Sequence, residues 1–224
     1  MHKKRILLSW SSGKDSAWAL HLLRQRKDVE VVALATSFNE EFGRVAMHAV
    51  RRELVLEQAR RAGLPLWQVP LPWPCSNAEY EARMAEVWQR AREERIDQVA
   101  FGDLFLEDIR AYRIQQLAPT SLEPIFPVWR IPTVQLAAQM IAAGLKATIT
   151  CVDPKRLDRS FAGREFDREL LANLPATVDP CGENGEFHTF CYDSPVFSAA
   201  IPIQRGETVE RDGFIFADLI ARTS

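Results

Sequence analysis

The chain has 224 residues, 47% hydrophobic and 26% charged, an ordinary globular composition that excludes extended disorder. Lys and Arg total 28 against 30 Asp and Glu, a net charge of −2, so a dedicated nucleic-acid binder with its basic excess is not expected. No apolar run reaches the roughly 18 residues of a membrane span, residues 1–10 are not a signal peptide, and Cys75, Cys151, Cys181 and Cys191 form no CxxC pair, so a reducing cytoplasm is expected rather than a disulfide framework or zinc site.

Residues 5–10 form a short apolar run that ends in small residues, a first strand and its loop. Residues 15–26 then have helical spacing, with Ala17, Leu20 and Leu23 on one face. Residues 29–36 are nearly all apolar, as in a strand buried on both faces of a parallel sheet. Residues 47–62 return to helical periodicity and stop at Gly63-Leu64-Pro65. A third strand at 66–71 precedes a helix capped at Asn77 that carries Tyr80, Met84, Val87 and Ala91 on one stripe. Residues 98–101 and 109–117 are the next strand and helix, and 122–127 a weaker, Pro-bounded strand. A helix at 134–143 ends at Gly144, and 145–152 reads as a further strand.

Such alternation predicts an α/β fold, a doubly wound parallel sheet. Beyond Asp153 the pattern changes to a helix at 165–174, a turn-rich loop at 175–186, and short antiparallel strands at 187–193, 196–204 and 208–216. The expected domains are residues 1–150 and a smaller C-terminal α+β domain at 151–224.

The sharpest chemical signal is Ser11-Ser12-Gly13-Lys14-Asp15-Ser16, between the first strand and the first helix. Ligands of open α/β sheets sit at the carboxyl ends of the strands. A helix N-terminus there offers free N–H groups and partial positive charge to an anion. The three serines add hydroxyls, Gly13 lets the backbone approach closely, and Lys14 brings a cation. The loop is not a Walker A sequence, because Leu8 stands where that pattern needs Gly and Asp15 follows the Lys. An acid beside phosphates is repulsive unless a divalent ion lies between them, so Asp15 points to Mg²⁺.

A second cluster, Asp179-Pro180-Cys181-Gly182-Glu183-Asn184-Gly185-Glu186-Phe187-His188-Thr189-Phe190, packs acids, a thiol and an imidazole into one stretch. Its chemistry alone leaves proton transfer, metal ligation, recognition of a cationic group and a plain tight loop all open. Cys181 has only acidic neighbours, which disfavours a reactive thiolate.

SSGKDS at 11–16 resembles the SGGxDS signature of the PP-loop ATP pyrophosphatases, with Ser12 where that signature has Gly. DPCGENGEFHTF at 179–190 is similar to the CGExGEYHT motif of diphthine–ammonia ligases, with Phe187 in place of Tyr. Met47-His48-Ala49-Val50-Arg51, Gly102-Asp103, Leu122-Glu123-Pro124 and Asp193-Ser194-Pro195-Val196-Phe197 fit the same family, and the similarity runs from about residue 5 to 197. The segment from Gly102 to Arg113 looks like the shorter branch found in bacteria. The resemblance implies a PP-loop (HUP-like) ATP-binding domain and a C-terminal domain carrying the acidic motif. It implies a ligase that adenylates a carboxylate with ATP and Mg²⁺, releases pyrophosphate, and forms an amide with ammonia.

On that reading Lys14, Glu183, Glu186 and His188 are the catalytic candidates. Ser11, Ser12, Gly13, Lys14, Asp15, Ser16, Thr36, Ser37, His48, Gly102 and Asp103 would contact the nucleotide, and Asp15 the metal. Arg110, Arg113, Cys181, Gly182 and Glu183 would contact the acceptor, a small molecule or a protein side chain bearing a carboxylate. The competing readings are a non-catalytic ATP-binding module and, with less support, a PP-loop enzyme acting on RNA. The oligomeric state is open, a homodimer included.

Overall fold

The computed structural model describes residues 3–45 and 49–222. The chain begins with β1 (Lys4–Ser9), α1 (Lys14–Gln25), β2 (Val29–Asn39), a two-residue β3 (Arg44–Val45), α2 (Arg52–Ala62) and β4 (Leu66–Leu71). It continues through α3 (Asn77–Glu93), β5 (Gln98–Ala100), α4 (Glu107–Leu117) and β6 (Glu123–Ile125). The central strand, β1, pairs in parallel with β2 on one side and β5 on the other. Outside them, β4 pairs with β2 and β6 with β5, which gives the parallel order β4–β2–β1–β5–β6. The chain therefore reverses direction across the sheet between β1 and β5, and the loops after these two strands part to leave a crevice at their carboxyl ends.

Successive side chains of β1 point to opposite faces, so both faces must be covered. Ile6 and Leu8 pack with Ala17 and Leu20 of α1 and Leu54 of α2. Leu7 packs with Met84, Val87 and Trp88 of α3 on the other face. Each fully buried aliphatic side chain of this kind contributes about 1.5–3 kcal/mol. This is the doubly wound arrangement expected from the sequence.

The rest of the chain supplies α5 (Thr133–Ala142), β7 (Lys146–Val152), α6 (Arg168–Asn173), β8 (Phe187–Asp193), β9 (Ile203–Arg211) and β10 (Phe214–Ala221). Its strands form a separate antiparallel sheet in the order β8–β7–β10–β9. That sheet and α5 share one apolar core with the α1–α2 face of the parallel sheet.

Four expectations are corrected, the first being the strand at 196–204, of which only Ile203 and Gln204 are extended, as the start of β9. The strand at 145–152 does not extend the parallel sheet. As β7 it lies between β8 and β10, and a central strand buried on both faces is as uniformly apolar as a parallel one. Helix α3 is capped by Ser76, not Asn77, through a reciprocal pair of bonds with Glu79. The strand expected at 208–216 is a hairpin, folded at Asp212-Gly213, where both residues take positive φ (52° and 81°) as a two-residue turn requires.

Candidate active site

Helix α1 starts without a side-chain cap, and its first turn faces the crevice beside β5. Gly102, just past β5, comes so close that a Cβ there would lie 3.2 Å from the Ser16 nitrogen. The turn before α1 is held from behind. Ser12 adopts φ 69°, and its carbonyl accepts from Cys191 N at 2.9 Å and from Gln58 Nε2 at 2.9 Å. Gln58, fully buried, also donates to the Cys191 carbonyl and accepts from Trp10 Nε1 at 2.8 Å. One amide therefore ties α2, the turn and β8 together.

Lys14 is 2% exposed. Its ammonium donates to the Cys181 carbonyl and to Asp15 Oδ2 at 2.9 Å, and lies 5.3 and 5.4 Å from the ring centres of Phe166 and Phe187. Its backbone N–H donates to Thr189 Oγ1 at 3.2 Å. Burial works against the ammonium charge, but Asp15, Cys181 and Glu183 outweigh it and hold Lys14 above the ordinary lysine range. An ammonium has three N–H groups, and these two bonds leave one for a ligand.

Glu183 reaches the loop after β5, where Oε1 accepts from Leu104 N at 2.7 Å. Burial, reinforced by Asp15 and Asp103, pushes it up to about 7. Burial also raises Asp15 and Asp103 above ordinary carboxylates, and Asp15 Oδ1 and Asp103 Oδ2 are buried without hydrogen-bond partners. Burial, with Lys14 adding to it, lowers His188 to about 4, so its imidazole is neutral at neutral pH. Gly182 turns the acidic loop at φ 72°, where a Cβ would stand 2.7 Å from the Phe187 carbonyl oxygen.

Around a cavity of about 260 Å³ the structure brings together Ser11, Lys14, Asp15, Ser16, Gly102, Asp103, Arg113, Cys181, Gly182, Glu183 and His188. Ser12 and Gly13 shape the turn from outside this lining. Thr36 is turned inward, its hydroxyl donating to the Trp10 carbonyl at 2.7 Å, and Ser37 faces the α3 side of the sheet beside Tyr80 and Met84. Arg110 stacks against Phe126 and Trp129 rather than lining the cavity. The Glu186 carboxylate closes its own loop, with Oε1 accepting from Asp179 N and Asn184 Nδ2, both at 3.0 Å. His48 lies outside the described residues. Burial raises the Cys181 thiol, in keeping with a group that shapes the loop through its backbone.

Sequence reasoning missed Asp179, whose Oδ1 accepts from Cys181 N at 2.9 Å and whose Oδ2 takes the Thr133 hydroxyl at 2.6 Å. Its place at the head of the acidic motif was the available signal. It also missed Gln58, which reads as one more polar residue on an amphipathic helix.

A turn after the first strand of a doubly wound sheet, faced across a cavity by an acid-rich loop that leads into a second sheet, is the arrangement of a PP-loop α/β protein. Residues 3–119 match the family model of the diphthamide synthase N-terminal domain, and residues 132–218 that of its C-terminal domain. A Danio rerio protein named diphthine–ammonia ligase is 27% identical over 236 residues, covering 95% of this chain and 91% of its own length. The Mus musculus protein of that name is 28% identical over 238 residues, covering 95% and 88%. The chain belongs to the diphthamide synthase family and is a ligase. No helix among the described residues is long and apolar enough to cross a membrane.

Proposed function

We propose that the chain uses ATP to activate a carboxylate and joins it to ammonia, the co-substrate named for its relatives. The observation that carries this is the meeting of Lys14 and the uncapped start of α1 with Glu183 and His188 around one cavity. A carboxylate oxygen of the acceptor attacks the α-phosphorus, the α–β bridging bond breaks, and pyrophosphate leaves as an acyl-adenylate forms. Ammonia then attacks the acyl carbon, a C–N bond replaces the C–O bond to AMP, and the nitrogen gives up a proton.

The α1 N–H groups beyond that of Lys14, the remaining N–H of the Lys14 ammonium, and Arg113 oppose the charge on departing pyrophosphate. Groups fixed in advance for such charge supply much of catalysis in phosphoryl chemistry. Glu183, half ionised near neutrality, receives the nitrogen's proton. Neutral His188 orients the acyl group, and Glu186 acts as a positioning residue that keeps the loop closed.

Among the described residues no three His, Cys, Asp or Glu side chains stand close enough to hold a metal ion by themselves. Mg²⁺ is commonly bound through one or two carboxylates plus substrate phosphates and water. The buried carboxylates of Asp15, whose Oδ1 accepts no hydrogen bond, and of Asp103, whose Oδ2 faces Arg113 Nε at 3.8 Å, fit that pattern, and an ion there would neutralise phosphate charge.

Incubation with ATP, Mg²⁺, ammonium and a panel of carboxylic acids should yield AMP and pyrophosphate; ADP and phosphate alone would overturn the proposal. Lys14→Met, which keeps the buried stem, should lower turnover about 100-fold or more. It should also abolish the thermal stabilisation that Mg·ATP gives the wild type by mass action. An equal ATP-induced shift in both proteins would remove Lys14 from the site.

A further inference from the structure

A second cavity, of about 480 Å³, meets the polar one at His188, which lines both. Its character is opposite. Phe42 from the β2–β3 turn and Trp73 from the loop after β4 stand edge to face at 5.9 Å, and Phe214 and Phe216 of β10 complete the wall. Phe42 is 45% exposed and Trp73 56%, so two large aromatic side chains are left in water at the mouth. Two polar side chains in the lining, Asn39 and Arg44, are already engaged. Asn39 Oδ1 accepts from Glu41 N and Phe42 N, and Arg44 Nη1 donates to the Ala49 carbonyl and to Asp218. An apolar body packs against these rings without burying an unpaired polar group of its own. Arg211 lies 5.6 Å from the Phe42 ring centre, and among the described residues no carboxylate pairs with it, although Asp212 also lines the cavity.

We propose that this cavity is the acceptor subsite, and that the acceptor is a carboxylic acid with an aryl or bulky alkyl body. The body packs against Trp73 and Phe216 while the carboxylate reaches past His188 to the polar cavity. The inference rests on the acyl-transfer reading above and adds the substrate class. Both units of the protein build the subsite, so activation would occur only where they meet.

Calorimetric titration of the full chain with 3-phenylpropionate, in the presence of Mg²⁺ and α,β-methylene-ATP, tests the subsite, with acetate as the control. The aryl acid should bind and acetate should not. Trp73→Ala and Phe216→Ala should each weaken the aryl acid about tenfold or more, a change expected from losing one packed ring. Affinity for the nucleotide should stay within about twofold, because the ring contacts no phosphate-binding group. Trp73 sits on an exposed loop, so its replacement reports on binding even if Phe216→Ala does not fold.

A parallel loss of nucleotide affinity would place the base in this cavity and overturn the proposal. So would equal binding of acetate, or no binding of the aryl acid by a chain that binds nucleotide. Product analysis separates the two readings. Aryl acids that bind here but give no AMP from ATP would uphold the subsite and overturn the ligation. AMP formation confined to short polar acids and unaffected by Trp73→Ala would uphold the ligation and overturn the subsite.

Discussion

Glu183 shares its cavity with Asp15 and Asp103, and burial with their nearby charge raises it from an ordinary 4.5 to about 7. Between those values the folded chain holds a proton that the unfolded chain has released. The folded state is therefore favoured on the acid side, and that contribution is lost as pH rises to about 7. Glu183→Gln removes the ionisation and keeps the acceptor for Leu104 N. The variant should gain on the wild type by roughly 1–2 kcal/mol, or about 2–8 °C in melting temperature, as pH goes from about 5 to about 8. Thermal scans of both proteins at matched pH check this, and a difference independent of pH would show that Glu183 titrates normally. His188 acts in the other direction. Its lowered value means that stability is lost as pH falls below its ordinary 6.5 towards about 4, so the quantity to read is the difference between the two proteins rather than either curve.

The turn between β1 and α1 shows which parts of the element scale are legible in a sequence. Residues 11–16 could be read because every group needed for an anion site is contiguous. The meeting with residues 181–189 came from a resemblance, since no local pattern says that Cys181 will offer its carbonyl to Lys14. Topology puts Thr36 and Ser37 at the carboxyl end of β2 without saying which way each side chain turns. The sheet to which 145–152 belongs is not legible locally, because a strand buried on both faces looks the same in either. The Asp212-Gly213 pair is a turn signal that divides residues 208–216 into two strands. Local strain is also visible at Ser12, held at φ 69° by the bonds to its carbonyl, with its hydroxyl buried and unpaired. A left-handed conformation costs a non-glycine residue about 1–2 kcal/mol, and the flexibility of glycine in the unfolded chain returns part of that. Ser12→Gly should therefore stabilise the protein by about 0.5–1 kcal/mol in urea denaturation, while Ser12→Ala should not. A loss of stability on Ser12→Gly would mean that the hydroxyl, rather than the backbone, holds the turn.

At the scale of the whole molecule, the site exists only while the two sheets stay docked. The seam is built from Lys14 on the Cys181 carbonyl, Cys191 N on the Ser12 carbonyl, Arg24 on the Val196 carbonyl and Ser198 N on the Arg61 carbonyl. Its ionic member is Asp218 of β10, whose carboxylate takes Arg44 at 2.8 Å and Arg51 at 2.6 Å from the far side of the seam. Burial opposes ionisation of Asp218, but the two guanidiniums outweigh it and hold its pKa below the ordinary carboxylate value of 3.8. The stabilisation is thus present above that value and is lost as pH falls through the lower folded one. Removing the carboxylate leaves two half-buried guanidiniums facing each other, so Asp218→Ala should cost about 1–3 kcal/mol at neutral pH, and less in high salt. If the bridge serves docking, the variant should also show a smaller stabilisation by Mg·ATP, although Asp218 does not line the polar cavity. Denaturation at two ionic strengths, with and without Mg·ATP, decides between the alternatives. An unchanged midpoint would mean that the apolar core alone keeps the sheets together. A lower midpoint with an undiminished nucleotide shift would mean that the bridge stabilises the chain without shaping the site.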